Sequence, residues 1–445
     1  MKIFNLLLAI GCIMVSQSSC KKYLDIKPKG IIIAQTITDY EGLLNSNTVA
    51  NPFGTLPVLI NPSDDLTSTS YSLVRNDDPS SNVYFWKSYI TDLNSINTTM
   101  WSEMYRCIAN LNVVTEGVMS ATGGTEEKKR QYFAEALAAK SFCYYNLLIF
   151  FSPAYMPATA SNKYGVPYVV TVDQGTAIPL RPTLKACLEQ ITGDLLNAIP
   201  NLPNEQTFKT RIDKYGGYAM LSRFYLYMHD YVNALKYANL ALTSPKASIV
   251  DYNQYLSNLT LPATNVSPEE LLNRFSGAGT FTLSKDLNAR LIPSDLRWRI
   301  LVNNPTAPRF NTSKYRPNLG ISWAEVFLNK AECLARSGDI SGALTIVNET
   351  IRKKRFDPLN YHPLTANSSD EAITAVLNER RIELMFRGVR WGDMKRLDAE
   401  GRMSSVKRFA ADGVTVLTSL EPKSENYTFQ IPLIVQQFNP GIPLN

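Results

Sequence analysis

Residues 376–397 read VLNERRIELMFRGVRWGDMKRL and hold nine charged side chains among large apolar ones. Glu379 and Glu383 stand four apart, so a helix carries both on one face. Paired carboxylates are the equipment of acid–base chemistry, glycoside hydrolysis included. The arginines around them point the other way. A nearby cation favours the ionised carboxylate and removes the raised-pKa acid that such chemistry needs. The segment therefore reads as structural. Ile382, Leu384, Met385 and Phe386 supply apolar contacts. Glu383 and Arg387 form an i,i+4 pair, and Gly388 is placed to end the helix in a left-handed turn. Trp391 then folds back on the core, and Asp393 pairs with Arg390 or Arg396.

Other chemistry is poorly supplied. The chain has two histidines, His229 and His362, too few for a histidine metal site or a Ser-His-Asp triad. No cofactor, metal site or catalytic residue is predicted. Of six cysteines, Cys107, Cys143, Cys187 and Cys333 lie in apolar helical contexts without a C-x-x-C spacing. They read as small buried hydrophobes, and their pairing stays open. A net charge of +6 spread without a polybasic run excludes a nucleic-acid footprint.

The N-terminus reads as a processing signal. Lys2 precedes an apolar run at residues 3–15, too short to span a bilayer, and SQSSC sets small residues before Cys20. That pattern is similar to a bacterial lipoprotein signal, with 1–19 removed and Cys20 lipidated. Cys12 in AIGC is a competing site with a shorter apolar run, and an ordinary secretory cleavage nearby is the other alternative. Several acyl chains on one cysteine would anchor the body at about 0.8 kcal/mol per buried CH₂.

Helices are needed to position whatever the chain does. Trp101, Tyr105, Ile108 and Asn112 keep one helical face, as do Phe133, Leu137, Ala138, Phe142, Tyr145 and Leu148. Leu184, Leu188, Ile191 and Leu195 come next, with Thr183 as N-cap. Two segments, 214–243 and 322–355, are designed as in a tetratricopeptide repeat. In the first, Ala219, Tyr227, Ala234 and Ala238 are placed as in that repeat; in the second, Ala324, Leu328 and Ala331 lie on the first helix and Ala343, Ile346 and Val347 on the other, and the two units align turn on turn when Asp230 is set on Asp339. They lie too far apart for a tandem array at about 34 residues per repeat. The spacing predicts eight helices in about four pairs: 99–119, 127–150, 183–199, 214–228, 231–243, 322–337, 340–355 and 369–388. The expected fold is mainly α, a tetratricopeptide-like scaffold over about 99–243 and 322–397 within one domain, 20–445. Long insertions at about 51–98, 153–180, 245–320 and 401–445 are rich in Pro, Asn, Ser, Thr and Tyr; loops of such length are usually functional.

Taken together these segments resemble the SusD/RagB family of Bacteroidota outer-membrane nutrient-binding lipoproteins. SCKKYLDIKPKG is similar to the family's lipid-anchored start, AEALAAKSFCYYNLLIFF and YGVPYVV to its second helix and the loop after it. RPTLKACLEQITGDLLNAIPNLP and AEVFLNKAECLARSGDISGALTIVNETIRKKR also fit. Glu379, Arg380, Arg381, Glu383, Gly388, Arg390, Asp393 and Arg396 resemble its late motif, and FQIPLIVQQFNPGIPLN its ending. Arg387 stands where the family commonly has an acidic residue. The resemblance implies capture of a glycan or similar nutrient outside the cell, without catalysis. It also implies delivery to a SusC-like TonB-dependent barrel, with the chain tethered to the outer membrane and facing outward.

Sugars offer apolar C–H faces rimmed by hydroxyls, so loop aromatics beside polar groups are the candidate contacts. These are Asp64, Asp65 and Tyr71 in PSDDLTSTSY, Asp295, Arg297 and Trp298 in DLRWRI, and Tyr315; Tyr252 and Tyr255 lie in the same insertion. Trp86, Trp101, Trp323 and Trp391 sit in scaffold segments and read as core. The rival readings are a tetratricopeptide scaffold for outer-membrane assembly and a glycoside hydrolase.

Overall fold

A computed structural model describes residues 34–54, 57–95, 98–173, 179–275, 279–304 and 306–445. The signal segment and Cys20 lie outside the described residues. Among the described residues, nine helices carry the scaffold. They are α1 Met100–Gly117, α2 Glu126–Phe151, α3 Leu184–Ala198, α4 Lys214–Tyr227, α5 Tyr231–Ala241, α6 Trp323–Arg336, α7 Ile340–Thr345, α8 Ser369–Glu383 and α9 Arg390–Ala399. Each packs on its neighbour in sequence through α6, and α8 closes on α6 and α7. The architecture is mainly helical and tetratricopeptide-like.

The helix starts obey local chemistry. Thr125, Thr183, Asp213, Ser322 and Ser368 each accept a backbone N–H of the first turn, which satisfies a donor the helix itself cannot. Asp230 and Asp339 do the same for α5 and α7, accepting from the Asn233 N–H at 3.0 Å and the Gly342 N–H at 2.8 Å. Each comes directly after a left-handed residue, His229 at φ 59° and Gly338 at φ 91°. The two turns are therefore equivalent, as their alignment predicts.

α2 is the central helix. From Ala138 to Phe151 every residue is buried, the pattern of a helix surrounded by protein. One core cluster collects residues from Tyr40 to Ile431 and includes Trp86, Trp101, Trp323 and Trp391. A second, smaller cluster joins α6, α7 and α8. The four cysteines are buried and unbridged; the thiols of Cys107 and Cys143 stand 3.6 Å apart between α1 and α2.

Three expectations are corrected. The helix read at 340–355 stops at Thr345, widens to a π-helical stretch over Ile346–Ile351 and tightens again over Arg352–Lys354. The wider turn rotates the end of the segment, and Arg352 and Arg355 point at carboxylates on α8. The helix read at 369–388 ends at Glu383. The chain turns through Phe386 at φ 59° and Gly388 at φ 75° and re-enters α9. A β-carbon on Gly388 would sit 2.4 Å from Leu59 Cδ2, so only glycine fits this close approach. The insertions, read as irregular, hold a four-stranded antiparallel sheet in the order Leu66–Thr67, Thr282–Leu283, Arg309–Phe310, Val302–Asn303, and a hairpin of Val406–Phe409 with Val416–Leu420.

Candidate functional site

The carboxylates of α8 are occupied. Arg297, 1% exposed, donates to Glu379 at 2.6 Å, to Glu383 at 2.8 Å and to Asp295 at 2.7 Å. Glu379 also accepts from Arg352, and Glu383 from Arg355, which bridges on to Glu269. Burial raises the Glu383 carboxyl, but Arg355 and Arg297 outweigh it and hold it at about 2. A carboxylate so held donates no proton at neutral pH. The i,i+4 pairing of Glu383 with Arg387 does not occur; Arg387 donates to Glu270 at 2.9 Å instead. Asp393 pairs with Arg380 and Arg396, both at 2.8 Å, and Arg390 turns away from it to Asp64.

The opposite end of this charged layer opens into a cavity of about 710 Å³. Four stretches of chain build it. The strand end at Asp64, Thr67 and Thr69 forms one side, and the short helix Lys285–Arg290 a second. α8 and α9 give the floor with Asn378, Arg381 and Arg390, and residues 402–413, leading into the hairpin, complete the wall. Lys285 Nζ donates to Gly413 O at 3.3 Å and ties the short helix to the hairpin turn.

Ion pairs set the wall. Arg390 grips Asp64 with two bonds of 2.6 and 2.7 Å. Arg381 reaches Asp65 at 2.6 Å and also Asp286. Burial raises the Asp64 carboxyl, yet Arg390 and Arg381 together hold it well below the ordinary range. At Asp286 the same balance of burial against Arg381 and Arg290 ends below the usual value. Asp65 is pushed up by burial, but it is 1% exposed and sealed behind Arg381. Arg408 has no carboxylate within ion-pair distance among the described residues. Its guanidinium donates to the carbonyls of Asn61, Ser63, Leu66 and Tyr84 and lies over the rings of Tyr84 at 4.0 Å and Trp86 at 4.3 Å. Burial lowers it to about 10, so it stays charged at neutral pH. Among the described residues no three His, Cys, Asp or Glu side chains converge as a metal site.

Residues 22–226 match the family model described as "Starch-binding associating with outer membrane", and residues 301–431 match the model of the SusD family. The chain belongs to the SusD/RagB family. A SusD superfamily protein from Bacteroides thetaiotaomicron VPI-5482 superposes with a TM-score of 0.76 at 20% identity, covering 92% of this chain and 99% of that one. A SusD-like carbohydrate binding protein from Bacteroides vulgatus ATCC 8482 gives 0.71 at 18% identity, over 92% and 97%. A laminarin binding SusD-like protein gives 0.65 at 18%, over 93% and 99%. At such identities the likeness establishes the fold. No curated protein matches this sequence. The family is associated with the outer membrane, and no helix among the described residues is long and apolar enough to cross one.

Among the ligand-contact candidates in this SusD/RagB chain, the cavity takes only Asp64. Asp295 and Arg297 are corrected: both are 1% exposed, and their polar atoms are spent on ion pairs. Asp65 is buried beside Arg381. Tyr71 is one ring removed from the cavity, tilted against Tyr84 with ring centroids 4.9 Å apart, and its hydroxyl accepts from Asn61. Tyr315 is 6% exposed and bonded to the backbone of Leu259 and Leu261, beside a separate cavity of about 50 Å³. Trp298 packs, half-buried, on the main core, and Arg355 covers the buried ring of Tyr252 at 4.0 Å. Lys285, Asn378, Lys407 and Arg408 also border the cavity, and none of them carries the aromatic signal expected of a sugar contact. Their signal was polar and basic side chains falling in the insertions and in the late arginine-rich motif.

Proposed function

We propose that this chain is a non-catalytic surface lipoprotein. It captures an oligosaccharide in the cavity between the short helix, α8 and the hairpin, and passes it to a SusC-like TonB-dependent barrel. Lipid on Cys20 holds it to the outer membrane, facing outward. The observation that carries this reading is the cavity itself. Its 710 Å³ falls within the range of small-ligand sites, about 300–1,000 Å³. Thr67, Thr69, Ser284, Thr374, Asn378 and Ser405 border it with hydroxyl and amide groups suited to sugar hydroxyls. The wall carboxylates support binding rather than hydrolysis. Glycosidases set a protonated acid opposite an ionised carboxylate, whereas arginines hold Asp64 and Asp286 ionised together. The sugar-binding and laminarin-binding relatives support the same ligand class.

The test is calorimetric titration of a panel of oligosaccharides into the mature protein and into Thr69→Trp, which fills an exposed position on the cavity rim. We expect binding by at least one panel member and its loss, by tenfold or more on the order of 1.4 kcal/mol, in the variant at unchanged melting temperature. Binding unaffected by the variant would remove the cavity from the reading. Affinity purification from solubilised outer membranes should bring down a large β-barrel; its absence would end the transporter partnership.

A further inference from the structure

The cavity is lopsided in charge. Seven cationic side chains border it against two carboxylates, Asp64 and Asp286. Four of the seven arginines and lysines, Arg290, Arg381, Arg390 and Arg402, are engaged by carboxylates. Three are not. Lys285, Lys407 and Arg408 have no carboxylate within 4.0 Å among the described residues, although each borders the same space. Lys285 and Lys407 are exposed, and Arg408 is fixed beneath them by four backbone carbonyls.

Equally informative is what the cavity lacks. Neutral sugars are gripped chiefly by open aromatic faces against their C–H surfaces. Here the bordering aromatics are Tyr84 and Phe409. Tyr84 is 1% exposed, and Arg408 and Tyr71 lie against its ring. Among the described residues no exposed tryptophan or tyrosine borders the space. A concave wall with uncompensated positive charge concentrates field lines in its mouth and raises the local concentration of anions.

We propose that the ligand is an anionic oligosaccharide, its carboxylate or sulfate groups met by Lys285 and Lys407 and by the field of Arg408, rather than a neutral glucan. This rests on the cavity being the glycan site. Charge-assisted hydrogen bonds from the two lysines supply the affinity that stacking supplies elsewhere.

The experiment titrates the full mature chain with tetragalacturonate, a sulfated heparin tetrasaccharide, neutral laminaritetraose and, as a non-sugar anion, pentaglutamate. We expect one acidic sugar to bind at least tenfold tighter than laminaritetraose, with affinity falling as NaCl rises from about 20 to about 300 mM, because salt screens solvent-exposed charge pairs. The two acidic arms separate carboxylate from sulfate recognition. The double variant Lys285→Gln/Lys407→Gln should lose about tenfold on the acidic sugar and nothing on any neutral one, while Lys285→Arg retains binding. Both positions are exposed, so folding should be unaffected. Laminaritetraose binding as tightly as the acidic sugars, blocked by Thr69→Trp but indifferent to the lysines, would overturn the anionic ligand and leave the cavity as the glycan site. Preference for pentaglutamate over every sugar would overturn both readings, as would failure of all four probes.

Discussion

Arg297 shows what a single charged residue does here. Its guanidinium serves Asp295, Glu379 and Glu383 with almost no solvent contact. A buried ion pair gains little over an apolar replacement of both partners, but removing one partner strands the other. Arg297→Met would leave three carboxylates short of their shared cation, so we expect a loss of about 3–5 kcal/mol in urea denaturation, or no soluble protein. A loss below about 1 kcal/mol would mean that water reaches the layer. Lys395 makes a different case. It is buried without a carboxylate partner, donates to Ile149 O at 2.7 Å and to Ser152 O, and burial lowers it to about 7. The unfolded chain holds this proton up to about pH 10, so unfolding takes up a proton between roughly pH 7 and 10. Stability from this group therefore rises with pH across that window, by up to about 1.4 kcal/mol per pH unit, and is level at its lowest below about pH 7, where both states hold the proton. Melting curves from pH 6 to 9 should show that rise for the native chain relative to Lys395→Met; parallel curves would refute it. Such partners were illegible in the sequence. It displayed Glu383 beside Arg387, four residues on, whereas the ion pair that formed reaches Arg297 and Arg355 across the fold.

At the scale of elements, the buried end of α2 explains the C-terminal tail. Its last carbonyls lie in the core, where no water can satisfy them. Ile149 O takes Lys395, Phe150 O takes the Phe429 N–H, and Phe151 O takes Arg181 and Asn445. The ending FQIPLIVQQFNPGIPLN thus finishes a helix that began some three hundred residues earlier. Gly388 makes the sharpest elemental prediction. Alanine there must adopt φ 75° and push its β-carbon into Leu59. We expect at least about 2 kcal/mol of destabilisation; a denaturation midpoint equal to the native one would mean that the α8–α9 turn rearranges freely. The helical pairs were legible because small residues at helical spacing and an aspartate after each turn are local signals. The four-stranded sheet was not, since strands of two residues have no period to read.

The whole molecule joins a helical frame to a cavity made where its excursions meet. The frame is held by α8 and α9, whose arginines are shared between the ion-pair layer and the cavity floor. We expect no turnover: mass spectrometry of any bound oligosaccharide after overnight incubation should return the intact sugar, and a shortened product would overturn the binding-only reading. The linear chain alone specifies the helical class, the equivalence of the two paired units, the burial of four tryptophans and the family, because periodicity, caps and motif order are local or linear properties. Packing in three dimensions was needed to settle which arginine meets which carboxylate, and which of the polar insertions face a common space. Asp64, Lys285, Arg381 and Lys407 come from four separate segments. Their proximity arises from long-range packing and strand pairing, which leave no trace at any fixed spacing along the chain.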